Sequence, residues 1–165
     1  MTPAKQESKT VQSAMERKAA EAELTRLITR FAPTNHRLTG ATRRWLRKRL
    51  PTAHEIVYEY RDCFVVSISP SGHGYQGVFG IRGSKDGIRL YFNAGKGLPD
   101  PDKLLRGTAN VRYVELDGAS TLARPAVARL FKAALAKNRV PFARTGRGPV
   151  VLSPTLAKKK RRPSR

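Results

Sequence analysis

The sequence predicts an α+β fold in two layers, with N-terminal helices, an antiparallel meander sheet of about five strands, a C-terminal helix and a disordered basic tail. Three observations predict it. Segments 15–31 and 125–137 carry apolar residues at helical spacing. Between them, 55–116 alternates apolar and polar residues with a period of two, broken by Gly- and Pro-rich turns. After Asn138, Pro, Gly, Lys and Arg dominate. The apolar helix stripes need one sheet face to cover, which makes two layers.

Each element follows in order. Residues 1–15 are polar and expected to be disordered. In the first helix, 15–31, Leu24, Leu27, Ile28 and Phe31 fall at i, i+3, i+4 and i+7. Pro33 ends it, because the residue before a proline is pushed out of helical geometry. A second helix, 39–49, stops before Pro51. It puts Leu38, Trp45 and Leu46 on one side, with Arg37, Arg44 and Lys48 opposite and Arg43 and Arg47 beside them. Strands are expected at 55–60, 64–69, 77–82, 87–92 and 111–116. In the first, Ile56, Tyr58 and Tyr60 share one face, and Glu55, Val57 and Glu59 the other. Polar residues on one face suit a sheet with one wet side. The closing helix, 125–137, begins at Pro125 and stacks Val127, Leu130, Phe131, Ala134 and Leu135 on one stripe. The domain division is therefore 1–15, a disordered segment; 16–137, the α+β domain; and 138–165, a basic and mostly disordered tail. A short edge strand at "PVVLS" is the one element considered in that tail.

Charge is the strongest compositional signal. The chain has 33 Lys and Arg against 12 Asp and Glu, a net charge of +21. Residues 138–165 carry nine of the basic residues and no acid. Such a field attracts polyanions. The candidate nucleic-acid-binding residues are Arg37, Arg44, Arg47 and Lys48 on the second helix, and Lys158, Lys159, Lys160, Arg161, Arg162 and Arg165 in the tail. They would make non-specific phosphate contacts. The plainer readings are a solvated helix face and a tail that only solubilises.

No catalytic, cofactor or metal residue stands out. "GHGYQG" (72–77) is a formal G-x-G-x-x-G, but a strand follows it where the dinucleotide fingerprint needs a helix. His36, His54 and His73 lack metal-ligand spacing. Cys63 is the only cysteine, which excludes an intrachain disulfide, and nothing beside it in sequence would activate the thiol. No apolar run reaches the ~18 residues that span a bilayer. The N-terminus has no apolar signal core, so a cytoplasmic location and no membrane partner are expected. Oligomeric state is not legible.

The stretch "LPDPDKLLRGTANVRYVEL" (98–116) reads as a stiffened connector, with Asp102 capping one helical turn, Leu104 and Leu105 anchoring it, and Gly107 ending it. Leu98, Pro99, Asp100, Pro101, Leu105, Gly107, Val111, Arg112 and Pro125 also follow a pattern that resembles the YdhG-like domains. These are small bacterial α+β proteins of largely unassigned function, some described as frataxin-like intracellular iron chaperones. The resemblance spans about 20–137 and implies two helices, an antiparallel sheet of about five strands and a C-terminal helix. It transfers no iron ligand to any residue, and the basic excess opposes capture of Fe²⁺. The expectation is a non-enzymatic YdhG-like domain whose basic surface binds anionic partners such as nucleic acid. Its rivals are an iron chaperone and a small-ligand or protein-binding module on the wet sheet face around Tyr58, Tyr60 and Tyr91.

Overall fold

Ser13 starts the first helix. Its hydroxyl accepts from the Glu16 N–H while the Glu16 carboxylate accepts from the Ser13 N–H, a reciprocal cap. The computed structural model describes residues 11–162; of the disorder expected over 1–15, residues 1–10 lie outside the described residues, and the rest is corrected, because Gln12 is hydrogen-bonded and the helix begins at Ala14. Helix α1 spans Ala14–Phe31 and buries Ala20, Glu23, Leu24, Leu27 and Ile28. A 3₁₀ turn at Pro33–Asn35 feeds directly into α2, His36–Arg49, which therefore starts three residues before the expected Thr39. A proline fits the start of such a turn because its fixed φ matches it and its missing N–H is not needed there.

Six strands follow: β1 (His54–Glu59), β2 (Phe64–Ser69), β3 (Phe79–Ser84), β4 (Gly87–Phe92), β5 (Arg112–Leu116) and β6 (Val150–Leu152). The sheet order is β5-β4-β3-β2-β1-β6. The first five strands form the expected antiparallel meander. Strand β3 begins two residues later than expected. Gly77 instead closes a 3₁₀ turn, and its carbonyl accepts from the Asn93 side chain. The later start leaves the alternation along the strand unchanged, and Phe79 and Ile81 face the core.

Alternation sorts the faces. Val57, Phe64, Val66, Ile68, Phe79, Ile81, Ile88, Leu90, Phe92 and Val114 point into one core with the helices. Phe64, Phe79 and Phe92 are fully buried, and each contributes about 1.5–3 kcal/mol through burial. Helix α4, Pro125–Lys137, seals this layer, with Phe131 stacked on Phe79 at 4.7 Å and met edge-on by Trp45 at 5.1 Å. A one-turn helix α3, Ala119–Leu122, precedes it.

Beyond 137 the short edge strand considered at "PVVLS" is present as β6, while the disorder expected around it is corrected. β6 pairs parallel to β1, with Glu55 opposite Val150 and Val57 opposite Leu152. Helix α5, Pro154–Arg161, follows, capped by the Ser153 hydroxyl accepting from the Leu156 N–H. Two anchors order this segment. Val150 is fully buried and Leu156 nearly so. Gly148 lies so close to β1 that a Cβ there would sit 1.7 Å from the Ala53 carbonyl oxygen. The boundary expected at 137 therefore falls inside one packed unit. Gln12 brackets the outer edge of β6, donating to the Val150 carbonyl and accepting from its N–H.

The connector is also corrected in detail. Residues 102–107 form no helical turn, and Asp100 rather than Asp102 holds the bend. Its two carboxylate oxygens accept from the Leu104 and Leu105 N–H groups, each at 2.9 Å. Lys103 takes a left-handed φ of 54° in the same bend. Leu104 and Leu105 are half-buried against the core, and Arg106 bridges back to Tyr113. No helix among the described residues is long and apolar enough to cross a membrane.

Candidate functional site

The faces of the sheet place the charged residues. Glu55 and Glu59 share the core-side face of β1 with Val57, so each needs a cation from the helices. Arg43 on α2 supplies one. It sits between Glu21 at 2.7 Å and Glu55 at 2.8 Å, with little of its side chain exposed. Burial pulls its pKa down, but the two carboxylates hold the guanidinium above its usual value. Arg47 donates to Glu55 at 2.7 Å. Further along, Arg26 and Arg30 meet Glu59, and Arg26 meets Glu23. Helix α5 completes the network: Lys159 reaches Glu59 at 3.2 Å and Lys160 reaches Glu23 at 2.6 Å. The Arg43 hydrogen bond lowers the Glu21 pKa. Burial raises that of Glu23, but Arg26 and Lys160 outweigh it and the net shift is downward.

The predicted phosphate ligands therefore divide. Arg47, Lys159 and Lys160 each pair with a carboxylate of this network, so their charge is already shared. The side chains of Arg37, Arg44, Lys48, Lys158, Arg161 and Arg162 make no hydrogen bond or ion pair to the described residues. Arg165 lies outside the described residues. The sequence held a signal for this division. Glu55, Val57 and Glu59 fall on one strand face, and carboxylates beside a core valine demand buried partners.

Two concave regions remain. On the helical side, a groove of about 450 Å³ runs between α2, α3 and α4. Arg44, Lys48, Arg49 and Arg124 line it over a floor of alanines and Leu122, with no acidic residue in its lining among the described residues. Arg49 lies over the Trp45 ring at 3.8 Å and donates to the Trp45 carbonyl, so its charge is fixed in place. Sequence reasoning found Arg44 and Lys48 and missed Arg49 and Arg124. Arg124 joins them only because the short α3 brings the start of α4 alongside α2, and no local pattern encodes that.

On the open face of the sheet lies a trough of about 440 Å³. Tyr58 and Tyr60 stack 6.2 Å apart at one side, and Tyr91 and Tyr113 pack at 5.1 Å at the other. Arg89 sits 4.4 Å over the Tyr113 ring and 3.6 Å from Glu115. Arg82 and Asn93 also line the trough. Cys63 opens onto it, but burial pushes its thiol pKa up and Arg82 opposes this only in part. A protonated thiol is a poor nucleophile. "GHGYQG" arches over this face as a 3₁₀ turn at Gly74–Gln76, with no helix for a pyrophosphate. Among the described residues, no three His, Cys, Asp or Glu side chains converge as a metal-holding group.

No family model, curated protein or solved structure matches the chain.

Proposed function

We propose that this is a non-enzymatic, YdhG-like α+β domain of the cytoplasm that binds nucleic acid through phosphate contacts on its helical face. The groove carries the reading. Among the described residues, four cations converge there, none is neutralised by an acidic side chain, and Arg49 is held in place by Trp45. A cation already paired to a buried carboxylate gains little from a phosphate, whereas an unpaired one releases counterions when it binds. Against an iron-holding role, Glu21, Glu23, Glu55 and Glu59 are all bound to Arg or Lys.

The test is duplex binding by fluorescence anisotropy across a salt series. The triple variant Arg44→Ala, Lys48→Ala, Arg124→Ala should lose up to about 2.7 units of the log K against log salt slope, at about 0.9 per phosphate contact. Affinity should fall alike for unrelated sequences, because phosphate contacts carry no base information. An unchanged slope would overturn the reading.

A further inference from the structure

We propose that the open-face trough is a second site, and that it takes an unpaired stretch of nucleic acid by stacking bases on its tyrosines. The proposal rests on the nucleic-acid reading above for the class of partner but uses the opposite layer of the molecule.

Strand register builds the trough. One cross-strand row runs Ser67, Gly80, Tyr91, Tyr113, and the next runs Tyr58, Val65, Arg82, Arg89. Ser67 and Gly80 thus leave a low floor in the two central strands, beside Val65 and Arg82, with aromatic rings on the strands to either side. Gly80 is the informative position. A glycine inside a strand weakens it, so its presence needs a reason. The backbone gives none: Gly80 is not among the residues with positive φ. Packing gives none either, because a Cβ there would meet nothing closer than 3.7 Å. What the missing side chain does is keep the floor open between the two tyrosine pairs.

The walls are held in position. Gly74 of the overarching loop lies so near Tyr58 that a Cβ would fall 1.9 Å from its hydroxyl oxygen. Tyr58 is therefore seated by the loop and stacked on Tyr60, and Arg89 covers one face of Tyr113.

Charge and chemistry choose the occupant. Among the described residues, Arg82 is the one cation lining the trough, and no acidic residue lines it. The surrounding molecule carries a net +21. Fixed rings beside an unopposed guanidinium match a base joined to a phosphate, and base–aromatic stacking tolerates any sequence. A duplex keeps its base faces stacked inside, so only an unpaired strand offers them.

The experiment titrates wild type, Gly80→Leu, Tyr91→Ala, Tyr91→Phe and the groove triple variant against labelled oligothymidine, an abasic strand of equal length and a duplex. Gly80→Leu fills the floor, and Tyr91→Ala removes a platform. Each should weaken oligothymidine binding about tenfold or more, the scale of one lost stack, and leave duplex affinity unchanged. Tyr91→Phe keeps the ring and should keep the affinity. Should Gly80→Leu fail to fold, the contrast between Tyr91→Ala and Tyr91→Phe still decides the matter. Equal binding of oligothymidine by wild type, Gly80→Leu and Tyr91→Ala would overturn the proposal. So would equal affinity of wild type for the abasic strand, or binding of thymidine monophosphate as tight as that of the oligomer. The groove reading fails separately, through an unchanged duplex salt slope in the groove variant.

Discussion

The two layers of this protein use arginine in opposite ways. On the core side of β1, Arg43 is enclosed between Glu21 and Glu55, and its charge is spent on holding α1, α2 and β1 together. One residue along, Arg44 faces the groove with no partner among the described residues. On the open face, Arg82 and Arg89 lie among tyrosines rather than glutamates, apart from the single contact of Arg89 with Glu115. The difference teaches that net charge overstates the charge on offer. A sum of +21 includes guanidinium groups that are structural, and only the geometry separates those from groups free to meet a phosphate.

Arg43→Ala tests the structural half most severely. It leaves Glu21 and Glu55 short of a buried partner, a loss of about 3–5 kcal/mol for a broken buried pair. Urea unfolding should show this as a lower midpoint. A midpoint equal to wild type would mean that Arg43 is no more structural than Arg44.

Acid tests the same network without a mutation. Glu21 and Glu23 both have folded pKa values below the ordinary 4.5. Their contribution is complete above that value and is lost as pH falls through the lower, folded pKa values, where protons bind the unfolded chain first. The melting temperature should drop in that window, and Glu21→Gln should flatten the drop. An identical acid profile for Glu21→Gln would show that the pair carries no such linkage.

The smallest effects separate neighbours on α5. Lys159→Ala with Lys160→Ala removes partners of Glu59 and Glu23 and should cost about 1 kcal/mol, the upper range for half-exposed pairs. Lys158→Ala with Arg161→Ala and Arg162→Ala should change stability by no more than about 0.5 kcal/mol. It should instead flatten the duplex salt slope, by at most about 2.7 units if all three engage. If the two variants behave alike in both measurements, the division between paired and offered cations does not hold on this helix.

Where the sequence was legible, a local period carried the information. Leu24, Leu27 and Ile28 repeat on one helical stripe, and Phe64, Val66 and Ile68 alternate along one strand. Each pattern names its own element and buried face, and all five meander strands follow from it. Where the sequence was faint or silent, the deciding contact was remote. Val150, Val151 and Leu152 are three apolar residues amid glycine, proline and arginine, too short to show a period. They become a strand only because β1 offers an open edge and Gly148 lets the backbones approach. Arg43 and Arg44 look equivalent in a basic run, and the register of Glu55 alone makes one a strut and leaves the other exposed. The groove was half visible, through Arg44 and Lys48, since Arg124 arrives from another helix. The tyrosines of the trough were visible as a wet face, but the open floor at Gly80 needed the pairing of β3 with β2 and β4.

The placement of β6 also has a consequence for synthesis. β1 is translated early, yet the strand that covers its outer side comes late, and Gln12 closes on Val150 across 138 positions of sequence. Helices α1 and α2 and the antiparallel hairpins can form from near neighbours as the chain leaves the ribosome. During that interval β1 presents an unpaired edge to other nascent chains, the kind of template that seeds wrong strand pairing. Closing so long a loop makes the final pairing the slow, entropically expensive step. The pairing of β6 is therefore expected to come last, and it is the event that closes the outer edge of β1.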